Sequence, residues 1–441
     1  MREIVCISLG GCGTKCGLKF WEIISDEHGL NGEGRYSGQS DLQLERMNVY
    51  FDEVIGGRFV PRSIHIDMDP TVTEIVKSSA VGNLFRPDMT ICGRQGASNN
   101  YARGMYSEGS NLMDDAMDCI RKVVESCDLI QGFQIIHSVG GGCGSGTNSL
   151  LVSNLKNEYS DRIVNNFSVI PSALLSEIVV ENYNAMLSLD YLTEYSDSTV
   201  ILDNEGLSSI CQDVLKVTGT YPDFNHLISM CIGGLTTCFR FPGQLNSDLR
   251  KLCVNMVPFP RMHFFAPAFV PLCSNDSRAY QSIKVPTLIE QMFDAKYLMA
   301  ACDPTKGKFL TCSAIFRGLS SMAEIEEGLY GTQQKNSRYF VNWIPNNIEK
   351  AVCDIPPRGM KLSATFLCNT TSIRRVFSRI QKLSSAMLKR KAHVHWYTGE
   401  GMEEKEFFNA EASVIDLINE YQGYESSADE PQGNNTFEDE R

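Results

Sequence analysis

The sequence predicts an α/β protein built on a doubly wound, largely parallel sheet, and three observations carry that prediction. Apolar runs of strand length alternate with stretches of helical spacing through the first half of the chain. Two of the strand-to-helix junctions are rich in glycine, Gly10-Gly11-Cys12-Gly13 and Gly140-Gly141-Gly142-Cys143-Gly144-Ser145-Gly146. With 441 residues and 43% hydrophobic content, the chain is long enough for two or three domains with cores of their own.

Glu3–Leu9 reads as a short buried strand and Gly10–Gly13 as a turn. Thr14–His28 reads as a helix, with Leu18, Trp21 and Ile24 at helical spacing and Gly29 to end it. Further strands are predicted at Ser63–Met68, Thr90–Cys92, Gly132–Ser138, Ile163–Pro171 and Thr199–Asp203, separated by helical stretches such as Gly109–Ser126 and Thr147–Tyr159. After Asn204 a long helix over Asp223–Phe239 leads into strand-rich sequence at Met262–Pro267, Phe309–Arg317, Lys350–Asp354 and Lys361–Phe366, which predicts a second α/β domain. Two helices close the fold, roughly Thr371–Lys391 and Glu403–Tyr424, joined by the glycine-bearing turn Gly399–Gly401. The remainder, Glu425–Arg441, has six acids against one arginine and is expected to be disordered. The expected divisions are residues 1–204, 205–370, 371–424 and 425–441.

Composition excludes several classes. Forty basic against 53 acidic side chains, a net charge of −13, argues against nucleic acid and for basic partners. No run approaches the ~20 apolar residues of a membrane span. Sixteen cysteines are scattered without CxxC pairs or metal-ligand spacing, and Met1–Leu9 is too short and too charged for a secretory segment, so reduced thiols in a cytosolic compartment are expected. Seven histidines form no recognisable Ser/His/Asp or Cys/His set, and His137 reads as a strand residue rather than a base.

The run Gly140–Gly146 carries the chemistry. Five glycines in seven residues between a strand ending at Ser138 and a helix starting at Thr147 let the backbone approach an anion closely, with the unpaired N–H groups of the helix's first turn pointing at it. The bland alternative is a flexible turn; strand and helix signals on both sides favour phosphate. Its spacing fits neither G-x-G-x-x-G nor G-x-x-x-x-G-K-[ST]. Gly10–Gly13 and Gly96-Ala97-Ser98-Asn99-Asn100 offer further donors between strand and helix. Asp67 and Asp69 lie two apart on the stretch that ends at Pro70.

The glycine signature resembles that of the tubulins. The resemblance extends in order through Met1-Arg2-Glu3-Ile4, Phe241-Pro242-Gly243-Gln244-Leu245-Asn246, Val254-Asn255-Met256-Val257-Pro258-Phe259-Pro260-Arg261 and Trp396-Tyr397-Thr398-Gly399-Glu400-Gly401. It implies a Rossmann-like GTP-binding domain, an intermediate α/β sandwich and a C-terminal helical hairpin. It also implies a GTP/GDP site with Mg2+: Gly10, Gly11, Cys12 and Asn99 near the phosphates; Ser138, Gly142, Cys143 and Gly144 as the phosphate turn; Glu181 on the ribose side; Asn204 and Asn225 reading the guanine edge; Tyr221 stacking on the base; Asp69 toward the magnesium. Lys251 stands where the alpha subunit has a glutamate that activates water against its neighbour's nucleotide, and an ammonium is no general base at neutral pH. With the short connection Leu367–Thr371 and the run Asp41–Arg46, this implies a beta subunit. Its implied partners are alpha-tubulin in a heterodimer, lateral beta-tubulin neighbours, and motors and microtubule-associated proteins at the acidic tail, in cytoplasmic microtubules.

The sequence also departs from the family. Glutamine, asparagine and glutamine are usual at Gly11, Thr14 and Lys15, threonine at Cys143 and glutamate at Asp69; one residue is missing around Thr218–Tyr221. The mobile loop implied at Ser274–Lys284 has lost positive charge at Asn275 and Gln281 and gained an acid at Asp276 where glycine is usual, which implies weaker lateral association. A divergent tubulin-fold protein that binds nucleotide without building ordinary microtubules therefore stays open beside the polymer-forming GTPase.

Overall fold

Ten strands share one sheet in the computed structural model, which describes residues 2–38, 40–54, 56–172, 174–243, 248–272 and 284–427. In chain order they are β1 (Glu3–Leu9), β4 (Ser63–Asp67), β5 (Thr90–Cys92), β6 (Ile130–Ser138), β7 (Ile163–Ile170), β8 (Ser198–Asp203), β9 (Phe264–Val270), β10 (Phe309–Arg317), β11 (Ile348–Cys353) and β12 (Ser363–Thr370); β2 (Phe51–Val54) and β3 (Arg58–Pro61) form a separate ribbon. The order across the sheet is β11-β10-β12-β9-β8-β7-β6-β1-β4-β5. The six strands from β5 to β8 are parallel. Every residue of β1 is buried, as expected of a strand covered on both faces by crossover helices. The strand-rich second half continues the same sheet through a narrow link, since β9 pairs with β8 only at Thr199–Phe264 and Val200–Phe265.

The helices that position the site are α1 (Gly10–Glu27), α2 (Glu108–Glu125), α3 (Asn148–Glu158), α4 (Glu181–Tyr195), α5 (Tyr221–Leu235), α6 (Leu249–Met256), α7 (Arg374–Leu388) and α8 (Glu404–Ser427). Helix α5 starts with a reciprocal cap, in which the Asp223 carboxylate accepts from the Thr220 N–H at 3.0 Å, and it packs along α1. Helices α7 and α8 lie on α4, burying Phe377, Ile380, Phe407, Val414, Leu417 and Tyr421.

Several expectations are corrected. Gly10–Gly13 is not a turn: Gly10, at φ +75°, already opens α1. Packing decides this, because a Cβ at Gly13 would stand 2.2 Å from the Ile136 carbonyl and one at Gly17 2.1 Å from Ser8 Oγ, so the glycines are what let α1 lie on β6 and β1. The helix predicted over Asp223–Phe239 breaks at Thr236 into α5 and a short Thr237–Arg240 turn. Leu367–Thr370, read as a connection, is the end of β12. Glu425 belongs to α8 rather than the tail, with its carboxylate 3.1 Å from Thr371 Oγ1 and 3.1 Å from the Arg374 guanidinium. The rest of the acidic tail, residues 428–441, and the lateral loop up to residue 283 lie outside the described residues, as do residues 244–246 of the Phe241–Asn246 motif.

Candidate functional site

Strand β1 lies between β6 and β4, so the chain reverses its winding direction there, and the carboxyl ends of β1, β6, β7 and β8 open onto one cleft. The cleft holds about 270 Å³. Its floor is Ser138 and Val169 from the ends of β6 and β7, and its walls are Cys12 and Lys15 of α1, Glu181 at the head of α4, Asn204 just past β8, and Tyr221 and Asn225 on α5. Sequence residues spread over more than two hundred positions are thereby brought to one place.

The two ends of the cleft differ in chemistry. At the α5 end, Asn225 is half-buried and its amide oxygen accepts from the Cys16 thiol at 3.2 Å, which turns the NH2 edge toward the cleft. Tyr221 is 61% exposed on the first turn of α5, a ring face open to a flat ligand. Glu181 lies over Gly140, and burial raises its carboxyl above the usual range against a hydrogen bond from Ser176.

The other end is backbone. Ser145 N–H returns to the Gly141 carbonyl at 3.2 Å, so the N–H groups of Gly142, Cys143 and Gly144 head the helical turn that runs into α3. The glycines are required by contact: a Cβ at Gly144 would meet the Ser138 carbonyl at 2.4 Å, one at Gly142 the Asn100 N–H at 2.6 Å, and one at Gly10 Gly144 N at 3.2 Å. Gly10, the Gly140–Gly146 turn and the Asn99 loop are therefore one nested assembly of main chain. Ser98 and Asn99 both hold left-handed φ, 49° and 55°, strain of the kind concentrated at binding sites. A cradle of this shape, with a ring face and an amide at one end and clustered helix-head N–H groups at the other, fits a nucleotide.

Of the two aspartates, Asp67 is buried at the end of β4 with Oδ2 3.8 Å from where a Gly11 Cβ would be. Burial raises its carboxyl, against hydrogen bonds from Asp69 N–H and Cys143. Asp69 is exposed, its Oδ1 accepting from Thr71 N–H at 3.0 Å. Thr14, where the family carries asparagine, points into the core with its hydroxyl unpartnered, whereas Lys15 lines the cleft. Among the described residues no three-residue metal cluster forms, no helix is long and apolar enough to cross a membrane, and all fifteen cysteines are free.

Lys251 is not part of this cleft. It sits exposed on α6, whose preceding residue Asp248 pairs with Arg2, just ahead of β1; the cleft lies past the other end of that strand, roughly 20 Å away at 3.3 Å per residue. Two residues the sequence did not single out work from beneath, Cys16 on Asn225 and Asn184 under the Asn99 loop, and His137, read as a strand residue, lies under the glycine turn.

His137 is fully buried; Nδ1–H donates to the Gly144 carbonyl at 2.8 Å and Nε2 accepts from Ser168 Oγ at 2.7 Å, so it is a prop and not a base. Burial holds its imidazole down at about 4. The unfolded chain, near 6.5, binds the proton more readily, so the neutral ring contributes stability above pH 6.5 that is lost as pH falls toward 4. Denaturant midpoints across that range should therefore fall less steeply for His137→Gln than for the wild type; parallel profiles would refute this.

The model of the Tubulin/FtsZ family GTPase domain matches residues 3–212, which contain the cleft's β1, β6, β7 and β8 ends and the glycine turn. The Tubulin C-terminal domain model matches residues 260–382, from the entry to β9 into α7. Between them the two matches take in most of the chain and agree with the guanine-nucleotide reading of the cleft: this protein belongs to the tubulin family.

Proposed function

We propose that the chain is a beta-type tubulin subunit that holds exchangeable GTP in the cleft and polymerises with alpha-tubulin into microtubules of the cytoplasmic cytoskeleton. One observation supports this most strongly: the cleft and Lys251 lie at opposite ends of the sheet, so in a head-to-tail stack each subunit's α6 would cover its neighbour's cleft. Both ends present apolar side chains to solvent, Leu174 at 82% and Val179 at 60% beside the cleft, and Val254 at 73% on α6. GTP supplies the bond that is cleaved. The chain orients the base through Asn204, Asn225 and Tyr221, the ribose side through Glu181, and the phosphates through Gly10, Gly11, Cys12, Asn99, Ser138 and the Gly142–Gly144 head. Lys251 offers no carboxylate to the neighbour that α6 would cover, and hydrolysis in this chain's own cleft waits for a glutamate brought by the next alpha subunit.

The donor set fits a magnesium ion. Among the described residues no basic side chain pairs with Asp67, and a cation beside Gly11 would compensate that buried carboxylate, with Asp69 reaching from the rim. Gly11→Gln finds open space, since its Cβ has only Asp67 Oδ2 at 3.8 Å. The amide should add a ligand, and nucleotide exchange titrated against magnesium should shift to lower concentrations by about threefold to tenfold. Superimposable titrations would remove this role for position 11.

Lateral beta-tubulin contacts and recruitment of motors and microtubule-associated proteins by the acidic tail complete the reading; nucleic acid and membranes have no place in it. A divergent tubulin-fold protein without ordinary polymers is the alternative, favoured by Thr14, whose buried hydroxyl cannot serve the ligand. GTP turnover followed together with polymer mass separates them. Turnover that rises only as an equimolar mixture with alpha-tubulin assembles, with microtubules visible by electron microscopy, supports the first reading. Turnover at full rate by the chain alone, or no polymer, contradicts it.

A further inference from the structure

Asn184, in α4, is completely buried and uses its full hydrogen-bonding capacity. Its amide nitrogen donates to the Asn99 carbonyl and to the Gly140 carbonyl, each at 2.8 Å. Its amide oxygen accepts from Tyr101 N–H at 3.2 Å and from Tyr397 O–H at 2.7 Å. Two donors and two lone pairs are all spent, and only one orientation of the amide satisfies the four partners. Asn184 therefore ties together the left-handed Asn99 loop, the glycine turn and a residue from the far end of the sequence.

That last partner belongs to the short helix Val394–Thr398, in the turn between α7 and α8. The turn is bounded by left-handed residues, His393 at φ 60° and Gly401 at φ 98°, so its path is sharply defined. It is anchored on the same loop a second time, by Asn100 Nδ2 donating to the Trp396 carbonyl at 2.9 Å. Ser107 bonds Glu400 and Tyr106 bonds Glu406, while Tyr183 O–H donates to the Ala392 carbonyl at 3.1 Å. The Tyr397 ring is packed edge-on against Tyr183 and Phe407, so it has little freedom to move alone.

We propose that the Val394–Thr398 turn and the phosphate cradle form a single element joined through Asn184, so that the phosphate state of the bound nucleotide sets the stability of the C-terminal hairpin's turn, and the turn sets the preference for triphosphate over diphosphate. Asn184 is the positioning residue and Tyr397 the reporter. This rests on the guanine-nucleotide reading of the cleft. Coupling of this kind is reciprocal: whatever the terminal phosphate does for the turn, the turn does for the terminal phosphate.

The test uses the full chain with a non-hydrolysable GTP analogue or GDP, and compares wild type with Tyr397→Phe, which deletes one O–H and leaves Asn184 with Tyr101 N–H. Hydrogen exchange of residues 394–398 in the wild type should be slower with the triphosphate analogue than with GDP. In Tyr397→Phe that difference should vanish, and the ratio of triphosphate to diphosphate affinity should fall by about fivefold, the effect of one neutral hydrogen bond. A merely structural role would lower the melting temperature and weaken both nucleotides alike. If both nucleotides bind but exchange at 394–398 is indifferent to them, or the affinity ratio survives in Tyr397→Phe, the coupling is wrong while the nucleotide site stands. If the wild type takes up neither nucleotide, the site assignment falls and the coupling with it.

Discussion

Gly144→Ala is expected to cost at least about a hundredfold in guanine-nucleotide affinity and to lower the melting temperature as well. The added methyl would stand 2.4 Å from the Ser138 carbonyl oxygen and 3.1 Å from Ser138 N, both backbone atoms of a strand paired on each side, so neither can rotate away. The helix head must shift instead. Overpacking of this kind costs about 1–3 kcal/mol of stability, and a displacement of about 1 Å in groups that must converge on a ligand is enough for a hundredfold loss. The shift also pulls the Gly144 carbonyl off His137 and Gly10 off its contact with Gly144 N. Gly141→Ala is the matched control, since nothing lies within 4 Å of its Cβ. Calorimetric titration with GTP and thermal melts of the two variants decide the matter: an unchanged melting temperature for Gly141→Ala beside a lowered one for Gly144→Ala is the expected pattern. Equal behaviour would mean that the turn is not the rigid cradle described.

Asn225→Asp is expected to have the second largest effect. An asparagine offers the guanine edge a donor and an acceptor, and the Cys16 thiol on its oxygen fixes which is which. Aspartate keeps the acceptor toward Cys16 but replaces the NH2 group with a second acceptor, which faces the guanine carbonyl oxygen and repels it. Loss of a buried donor with an unpaired acceptor left behind costs about 1–3 kcal/mol, or roughly fivefold to 150-fold in affinity. Adenine nucleotides should gain relative to guanine, because their exocyclic amine can donate to the new carboxylate. Competition against labelled GTP would show this as a lower guanine-to-adenine preference; an unchanged preference would take Asn225 out of base recognition.

How far the sequence disclosed the protein depended on which force dominated locally. Glu3–Leu9, Thr90–Cys92 and Phe309–Arg317 were placed to the residue, because each is a run bounded by a sharp break, Gly318 at φ 109° among them. Gly10–Gly13 misled, since glycine in isolation favours a turn, whereas here the lack of side chains is what allows a helix to lie against β6. Helix α4 went unread for the opposite reason: Tyr183 through Leu189 are all buried, so no polar face betrays a helical period. In the site, the residues assigned by resemblance at Cys12, Ser138, Glu181, Asn204, Tyr221 and Asn225 do converge on one cleft. Thr14, never assigned to the site, faces the core from its place one turn into α1. Cys16, His137 and Asn184 carried no signal of spacing, since they support the site from below through contacts that only the folded chain creates.

The family match and the lining of the cleft between α1, α4 and α5 together imply a bound guanine nucleotide. The most direct measurement is the nucleotide content of the purified protein: denature it, separate the released small molecules chromatographically, and follow uptake of labelled GTP by the native chain. About one guanine nucleotide per chain of this type, exchanging with labelled GTP and lost in Gly144→Ala, is the result the structure predicts. Absence of guanine nucleotide in the extract together with no uptake of labelled GTP would contradict it.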